Sequence, residues 1–319
     1  MRTLITGGAG FIGSHLADEL LGRGDHVIAL DDLSTGGLGN VSHIVGRSDM
    51  ELVLGSILNA DLVDDVVSRC DRIFHLAAAV GVKRIIERPL ESLRTNILGS
   101  EIVFEKAHKY GRPVLVTSTS EIYGKNSSDR LGEEDDRILG SPLKSRWSYS
   151  EAKAIEEILA FTYWTEKGLP TVIARLFNTV GARQTGTYGM VIPRFVSQAL
   201  SGEPLTVYGD GTQTRCFVSV SEVAPALVDL LESEAAHGTV VNLGSSEEIS
   251  MHELAERVIA VLGSSSAVEF IPYDEAYEEG FEDMPRRVPD IRRAAGLIGF
   301  APSRTLDQII RDVAADVGA

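Results

Sequence analysis

The chain has 319 residues, of which 44% are hydrophobic and 24% charged, and this composition indicates a globular protein with one large or two smaller domains. Its formal net charge of -16 argues against nucleic acid or an anionic membrane as a partner, because both favour clusters of Lys and Arg. No run approaches the roughly 18 apolar residues of a membrane span, and no signal peptide precedes the first predicted strand, so we expect a cytoplasmic protein.

The chain begins with a predicted strand, a glycine-rich turn and a predicted helix. A short apolar strand at 3–6 leads into the turn Gly7-Gly8-Ala9-Gly10-Phe11-Ile12-Gly13 and then into a predicted helix at 14–21. Glycines at this spacing let the backbone approach a pyrophosphate at the N-terminus of a helix. The alternative, an incidental glycine-rich turn, is disfavoured because a second strand, at 26–30, follows the helix as the motif requires.

The second strand ends in two carboxylates, Asp31 and Asp32, whose roles the sequence does not separate. A carboxylate at the position of Asp31 accepts hydrogen bonds from the adenosine ribose and would repel a 2′-phosphate. The sequence therefore predicts NAD as the cofactor, in preference to NADP.

Further predicted strands at 51–54, 72–76 and 114–117 alternate with helical stretches such as 89–110. Apolar strands alternating with amphipathic helices predict an α/β fold with a parallel, doubly wound sheet of the Rossmann type and helices on both faces. Ligands of such sheets bind beyond the carboxyl ends of the strands. The residues that follow each strand are therefore the candidates for a site.

Three of these candidates, Thr119, Ser120 and Glu121, follow the strand at 114–117. By the strand-end rule they face the nicotinamide and the group that it oxidises. For Glu121 the alternative is a carboxylate at the N-terminus of a helix, where it would complement the helix dipole.

Tyr149 and Lys153 form the pair on which the functional prediction depends. Their i,i+4 spacing places a phenol and an ammonium on one face of a predicted helix that continues to Lys167 and ends at Gly168-Leu169-Pro170. An adjacent ammonium and a cationic cofactor ring would both favour the phenolate, which makes the Tyr a working base. From the spacing alone, a half-exposed Tyr beside a solvated Lys is the commoner explanation.

The two cysteines, Cys70 and Cys216, lie in apolar stretches without a second thiol at a metal-like spacing. We expect buried free thiols and no metal site.

Taken in order, the motifs resemble the extended short-chain dehydrogenase/reductases that modify nucleotide sugars. The resemblance runs almost end to end, through Gly7-x-x-Gly10-x-x-Gly13, His75-Leu76-Ala77-Ala78, Thr117-Ser118-Thr119-Ser120-Glu121-Ile122-Tyr123-Gly124, Tyr149-x-x-x-Lys153 and Arg175-Leu176-Phe177-Asn178.

The resemblance implies a tightly held NAD that is recycled in each turnover. It assigns Tyr149 as the base for a sugar hydroxyl, usually O4, while C4 gives hydride to the nicotinamide. Lys153 would lower the pKa of the Tyr and hold the nicotinamide ribose, and Thr119 would share the hydrogen bond to O4. The implied cofactor contacts are Gly7, Gly10, Phe11, Ile12, Gly13, Asp31, Asp32, Leu76, Ala77, Ala78, Thr117, Tyr149 and Lys153.

The fate of the resulting 4-keto sugar separates the members of the family. Dehydratases would carry Asp-Glu where this chain has Ser120-Glu121, whereas Thr119-Ser120-Glu121 and Arg146-Trp147-Ser148-Tyr149-Ser150 resemble UDP-glucuronate decarboxylases. The resemblance places Glu121 and Arg287 near the sugar carboxylate and C5, although 4-epimerases also carry an Arg at the second position.

Three hypotheses of function remain open at this point. A lyase that decarboxylates UDP-glucuronate to a UDP-4-keto-pentose or UDP-xylose is the leading one, and a UDP-sugar 4-epimerase is the alternative. A non-catalytic, NAD-sensing protein is disfavoured by the intact Thr119, Tyr149 and Lys153.

The C-terminal part would bind a UDP-sugar. The resemblance implies phosphate contacts from Asn178, Arg215 and Arg287, and uracil contacts from 190–193 and 205–209, which include Val191 and Tyr208. Arginines that only pair with the acidic surface, including Arg286, are the alternative. Lys83 is a candidate for a sugar carboxylate, or else a solvated loop residue.

The family pattern also gives the domains and the assembly. We expect an NAD-binding domain at 1–175 with a return around 212–250, and a smaller, interleaved α/β substrate domain at 176–319. The acidic stretch at 274–283 is expected to form a loop or lid. Apolar stripes on the two long helices, which relatives pair in a homodimer, would equally suit burial within one subunit; they comprise Leu93, Ile97, Val103, Phe104, Ile155 and Leu159.

Overall fold

A computed structural model describes residues 1–79, 88–144, 147–186, 190–272 and 284–318. Seven parallel strands form its central sheet in the order β11-β6-β5-β4-β1-β2-β3. The strands are β1 (Arg2–Thr6), β2 (His26–Asp31), β3 (Met50–Leu54), β4 (Arg72–His75), β5 (Val114–Thr119), β6 (Thr171–Leu176) and β11 (Thr239–Leu243). The predicted α/β fold with a doubly wound parallel sheet is confirmed.

Helices cover both faces of this sheet, which explains why the middle residues of its strands are largely apolar. Successive residues of β1, Leu4 and Ile5, are fully buried in two different hydrophobic clusters, one on each face. The helices that flank the sheet are α1 (Phe11–Gly22), α2 (Ala60–Ser68), α3 (Pro89–Tyr110), α4 (Ser148–Lys167) and α6 (Val220–Glu232). The α1 and α6 helices contribute to one cluster, and α2, α3 and α4 to the other.

A third hydrophobic cluster lies in the C-terminal part of the chain. It is built from α5 (Val191–Ser201), α7 (Met251–Leu262), α9 (Leu306–Val317) and the parallel pair β8 (Leu205–Tyr208) and β13 (Val268–Ile271). The remaining elements are the pair β7 (Thr179–Val180) and β10 (Val218–Ser219), the three-stranded sheet of β9 (Thr214–Cys216), β12 (Glu248–Ser250) and β14 (Arg286–Arg287), and the helix α8 (Arg292–Ile298).

Two helices that carry candidate residues begin earlier than the sequence pattern predicts. The α1 helix starts at Phe11, because Gly10 has an extended backbone and acts as its N-cap. The α4 helix starts at Ser148, so Tyr149 lies in its first turn and Lys153 one turn later. Among the described helices, none combines the length and the apolar character needed to cross a membrane.

Some predictions concern residues outside the described parts of the chain. These are Lys83, Arg146 and the acidic stretch at 274–283. The two cysteines, Cys70 and Cys216, are buried and free, as predicted.

Candidate functional site

The turn between β1 and α1 is built so that only glycine fits at two of its positions. Gly7 has a φ of +74°, a backbone conformation that other residues rarely adopt. A Cβ on Gly13 would lie 2.1 Å from the carbonyl oxygen of Gly7. Both glycines therefore allow the turn to fold tightly against the N-terminus of α1, where unpaired N–H groups favour an anion.

Asp31, at the end of β2, supports this turn from behind. Its two carboxylate oxygens accept hydrogen bonds from the backbone N–H of Ala9 (2.9 Å) and Leu33 (2.7 Å). Burial raises the pKa of its carboxyl group. Asp32 is exposed and accepts from the N–H of Ser34 at 2.9 Å. The structure thus distinguishes the two carboxylates, since only Asp31 is tied to the glycine turn.

One cleft of about 510 Å³ collects nearly all of the predicted site residues. It runs from the glycine turn, past the carboxyl ends of β4 and β5, to the C-terminal part. Lys83 lies outside the described residues, and of the predicted uracil-binding range 205–209 only Val207 and Tyr208 line the cleft. The other site residues named singly from the sequence all line it: Gly7, Gly10, Phe11, Ile12, Gly13, Asp31, Asp32, Leu76, Ala77, Ala78, Thr117, Thr119, Ser120, Glu121, Tyr149, Lys153, Asn178, Val191, Arg215 and Arg287.

Sequence reasoning missed several other residues of the same cleft. Gly55 and Ile57 follow the carboxyl end of β3, so the strand-end rule that found the others would have found them as well. Arg194 lies on α5, with its guanidinium 4.2 Å from the ring centre of Tyr208. No pattern in the sequence indicates that contact, because the two residues are brought together only by the packing of α5 on β8.

The phenol of Tyr149 is held in its protonated form by the residues around it. Burial raises its pKa above the usual value, and the negative charges of Glu121 and Glu156 raise it further. Lys153 is only 2% exposed, and its Nζ donates to Oε2 of Glu156 at 2.7 Å. The ammonium that was predicted to act on Tyr149 therefore also faces a buried carboxylate, which the sequence analysis did not identify.

Behind this pair, the loop that follows β4 is fixed by Asn96 of α3. The Asn96 side chain accepts from the N–H of Ala79 at 2.6 Å and donates to its carbonyl at 3.3 Å. The loop carries the candidates Leu76, Ala77 and Ala78 past the end of the sheet. Their position in the cleft thus depends on a side chain of a helix.

The turn after β5 brings Ser120 and Glu121 against Arg287 of β14. Nη1 of Arg287 donates to Oγ of Ser120 at 3.3 Å and lies 4.0 Å from Oε1 of Glu121. Oγ of Ser150 donates to the carbonyl of Glu121 at 2.9 Å, which ties the turn to α4. Glu121 also lies in the first turn of a short 3₁₀ helix, Ser120–Tyr123, as the alternative of a helix-terminal carboxylate predicts. That alternative does not account for its contact with Arg287.

The arginines near the C-terminal part divide into two groups. Arg286 makes a bidentate pair with Glu248 at 2.7 and 2.9 Å on the protein surface, as the structural alternative predicts. Arg215 and Arg287 line the cleft instead. Asn178 also lines it, while its amide donates to the carbonyl of Cys216 at 2.8 Å.

The fold and this cleft define a Rossmann-type α/β protein with a Tyr–Lys pair among its cleft residues. The chain belongs to the NAD dependent epimerase/dehydratase family, whose sequence model matches residues 3–244. The family predicted from the motifs and its cofactor, NAD, are therefore confirmed.

Two curated relatives match nearly the whole chain. The chain is 39% identical over 312 residues to UDP-N-acetyl-alpha-D-glucosaminuronate decarboxylase of Bacillus cytotoxicus, covering 98% of this chain and 96% of the relative. It is 37% identical over 309 residues to UDP-glucuronic acid decarboxylase 1 of Danio rerio, covering 96% of this chain and 70% of the relative.

Solved structures with the same fold include two 4-epimerases. UDP-glucose 4-epimerase of Thermotoga maritima, with UDP-glucose, superimposes with a TM-score of 0.89 at 28% identity, covering 99% of this chain and 98% of the other. UDP-glucuronic acid 4-epimerase of Bacillus cereus, in complex with UDP-glucuronic acid and NAD, gives 0.89 at 27% identity, covering 100% and 99%.

Proposed function

We propose that this chain is an NAD-dependent decarboxylase of a UDP-uronate that works through a 4-keto intermediate. The observation that carries the proposal is the contact of Arg287 with Ser120 and Glu121 in the cleft that also holds Thr119 and Tyr149. A cation, a hydroxyl and a carboxylate beside the acid/base pair suit a substrate that carries a carboxylate next to the carbon being oxidised.

The residues at the N-terminal end of the cleft fit the cofactor. The turn has no room for a Cβ at Gly13, as a backbone that approaches a pyrophosphate requires, and α1 begins directly at it. Asp31 would accept from the adenosine ribose, because a carboxylate has about four lone-pair sites and the backbone N–H groups of Ala9, Gly10 and Leu33 do not use all of them. Bound NAD would supply the acceptor for a hydride.

In the first step, Tyr149 takes the proton from O4 of the sugar while C4 loses hydride, which leaves a ketone at C4. A phenol whose pKa is raised by burial and by two carboxylates is a weak base by itself. A cationic nicotinamide in the cleft would offset those negative charges and favour the phenolate. Proton abstraction by Tyr149 is therefore linked to the presence of the oxidised cofactor.

The second step is the loss of carbon dioxide. In the 4-keto sugar the carboxylate is β to the ketone, so the C5–C6 bond breaks and its electron pair forms the enolate at O4. Arg287 would orient the carboxylate by charge-assisted hydrogen bonds until the bond breaks. C5 then takes up a proton in place of the lost carboxylate as the enolate reverts to the ketone, and we propose that Ser120 and Glu121, beside Arg287, deliver it.

The relatives support a uronate substrate but differ in its 2-substituent. One is named for UDP-N-acetyl-alpha-D-glucosaminuronate and the other for UDP-glucuronic acid. With UDP-glucuronate the product would be a UDP-4-keto-pentose, or UDP-xylose if the hydride returns to C4. The substrate class that we propose is therefore a UDP-hexuronate, with either a hydroxyl or an acetamido group at C2.

The test is to incubate the purified protein and NAD with UDP-glucuronate and, separately, with UDP-N-acetylglucosaminuronate. We expect release of carbon dioxide and a nucleotide-sugar lighter by one carboxyl group from at least one of them. A product of unchanged mass with inverted C4 would instead identify a UDP-sugar 4-epimerase. That alternative is supported by the close superposition on two 4-epimerases.

We also propose that two copies of the chain form a homodimer through α3 and α4. Leu90 and Leu98 of α3 and Ile158 and Phe161 of α4 are exposed, although all four are apolar. The two helices pack side by side, and we infer that their exposed apolar residues form one surface, which a second copy would cover. The apolar residues predicted to form one stripe have different environments: Val103 and Phe104 are buried in the core, whereas Ile155 is exposed.

A further inference from the structure

A buried carboxylate that the reaction described above does not use lies behind the Tyr149–Lys153 pair. Glu156 is one turn after Lys153 in α4, and the two side chains are 1% and 2% exposed. Their 2.7 Å contact joins Nζ of Lys153 to Oε2 of Glu156. Burial raises the pKa of Glu156 to about 7, although Lys153 opposes the shift. This carboxyl group therefore titrates in the range where enzymes work.

The groups packed against Glu156 from β4 and α3 carry no positive charge. Oγ of Ser100 donates its single proton to the carbonyl of Asn96 at 2.6 Å, so it accepts from Nε2 of His75 at 2.8 Å. Nδ1 of His75 then accepts from the hydroxyl of Thr6 at 2.7 Å. Burial and the charge of Lys153 lower the pKa of His75 to about 3, which keeps the ring neutral.

The Ser100 hydroxyl is also close enough to Glu156 to lower the pKa of that carboxyl group, which opposes the effect of burial. Ser100 directs its proton to the carbonyl of Asn96 at 2.6 Å, however, and this leaves one oxygen of Glu156 without an aligned donor. Within the described residues, Oε1 of Glu156 is buried and accepts no hydrogen bond. A buried carboxylate oxygen with no donor is costly as an anion and is a natural place for a proton.

The other charged groups near Glu156 are on α4 and on the turn after β5. Glu157 faces away from Lys153, since it pairs with Arg175 at 2.7 Å and accepts from Ser118 at 2.5 Å. Its charge helps to raise the pKa of Glu156. The negative charge of Glu121 raises the pKa of Tyr149. The charge of Glu156 thus acts on Tyr149, while its carboxylate contacts the ammonium of Lys153.

We propose that Glu156 is a positioning residue of the site: its carboxylate holds the Lys153 ammonium behind Tyr149 and offsets its charge, and it releases that charge to Tyr149 when it takes up a proton. The inference rests on the proposed role of Tyr149 as the base. When the phenol loses its proton and Glu156 gains one, the total charge of the three groups is unchanged, and the ammonium faces a phenolate in place of a carboxylate.

This arrangement has a definite consequence for pH. Above about pH 7 Glu156 is a carboxylate and its charge disfavours the phenolate. As the pH falls through about 7, Glu156 takes up a proton and the full charge of Lys153 then favours the phenolate. Ionisation of Tyr149 is thus spread over two coupled steps instead of one.

The experiment compares Glu156→Gln with the wild-type protein, with Glu156→Asp as the conservative variant and Glu157→Gln as the matched control. The control removes the neighbouring buried carboxylate, which does not touch Lys153. Ionisation of Tyr149 is followed in the NAD-bound protein by the ultraviolet absorption of the phenolate, with the corresponding Tyr149→Phe protein subtracted. The pH profile of kcat/KM on the UDP-uronate is measured in parallel.

For Glu156→Gln we expect a single ionisation step whose midpoint lies about one pH unit below that of the wild-type protein. The Asp variant should keep the two-step profile, and Glu157→Gln should not move the midpoint downwards. An unchanged or raised midpoint in Glu156→Gln, an equal shift in Glu157→Gln, or a phenolate undetectable in Glu156→Gln would overturn the proposal. If the ion pair were purely structural, Glu156→Gln would lower the melting temperature and leave the midpoint of Tyr149 ionisation unchanged.

The absorption titration needs no sugar, so it tests the proposed role of Glu156 even if the UDP-uronates are not substrates. Failure of the proposed reaction would appear as absent turnover in the wild-type protein. Failure of the Glu156 proposal would appear as an unmoved phenolate midpoint.

Discussion

A methyl group on Gly13 would collide with the carbonyl oxygen of Gly7, 2.1 Å away, and with the backbone of Gly8. Neither partner can rotate away, because both are main-chain atoms of the same turn. At the other end of α1, Gly22 is exposed and has nothing within 4 Å of an added Cβ. The same substitution therefore tests opposite environments at the two ends of one helix.

We predict that Gly13→Ala destabilises the protein by about 1–3 kcal/mol and weakens NAD binding, because the turn must open to admit the methyl group. Gly22→Ala should leave NAD binding unchanged and raise stability by up to about 1 kcal/mol, since Ala is the better helix former. Chemical denaturation and calorimetric titration with NAD measure both effects. Equal NAD affinity in the two variants would contradict this account of the turn.

In the proposed reaction, Glu121 is the residue that would distinguish decarboxylation from epimerisation. Glu121→Gln should reduce carbon dioxide release by about 100-fold, a typical effect of removing a general acid or base. It should leave NAD binding intact, because the side chain lies at the Arg287 side of the cleft. Scintillation counting of carbon dioxide from labelled UDP-glucuronate measures the rate. A variant that is still fully active would exclude a part for Glu121 in the chemistry.

At the level of single residues, sequence motifs predicted most of the residues that line the cleft but not the buried residues behind it. Gly13, Asp31 and Tyr149 belong to motifs whose spacing can be recognised from the sequence alone. Glu156 carries none, because a Glu within a helix normally indicates a solvated face, and only the packing of α4 on the sheet buries it. Its partner lies three residues away, but its environment comes from β4 and α3.

Arg72 joins separate elements of the fold, because it pairs with the buried Asp25 and with the partly exposed Glu232. Arg72 of β4 donates from Nη2 to Asp25 at 2.8 Å and from Nη1 to Glu232 of α6 at 2.7 Å. Asp25 also accepts from the hydroxyl of Thr3 at 2.6 Å and from the terminal amine at 3.0 Å. Two central strands, β1 and β4, are thereby tied to a helix that is distant in the sequence.

These hydrogen bonds predict how stability depends on pH. They hold the pKa of Asp25 below its usual value of 3.8, so the stabilisation is complete above about pH 4 and is lost as the pH falls through the lowered pKa. Asp25→Asn should cost about 2–3 kcal/mol at pH 7, and the difference from wild type should shrink below pH 4. Urea unfolding between pH 7 and pH 3 measures this difference.

The control for this prediction is Asp65→Asn, which removes an exposed pair with Arg69. It should change stability by less than about 1 kcal/mol at every pH. A cost for Asp25→Asn that does not depend on pH would show that its charge is unimportant.

At the level of elements, the sequence predicted the central strands because apolar runs between turn residues leave few alternatives. It was less accurate at helix starts, as at α1 and α4, where the N-cap has no side chain that donates or accepts a capping hydrogen bond. Short strands such as β14 could not be predicted, because two residues carry no periodicity. Their pairing with β9 is fixed only by the tertiary structure.

For the molecule as a whole, the apolar surface on α3 and α4 predicts its state of assembly. Ile158 and Phe161 are 63% and 52% exposed on one face of α4. A charge at Ile158 would be buried without a partner in the proposed homodimer, so Ile158→Glu should weaken association by about 2 kcal/mol or more. Light scattering during size-exclusion chromatography gives the mass of the assembly.

Leu200→Glu is the control for that measurement, because Leu200 is 49% exposed on α5, outside the α3–α4 surface. It should leave the dimer unchanged. A wild-type protein that is monomeric at micromolar concentration would refute the proposed homodimer.

The position of β11 affects how the chain folds during its synthesis. A ribosome releases β6 well before β11, yet β11 is the strand that pairs along the outer side of β6, residue for residue from 172–176 to 239–243. During that interval the newly made chain exposes a row of unsatisfied amides and carbonyls, the kind of template on which unfinished chains adhere to one another. Slow translation between codons 176 and 239 should therefore lower the yield of this protein more than slow translation after codon 243.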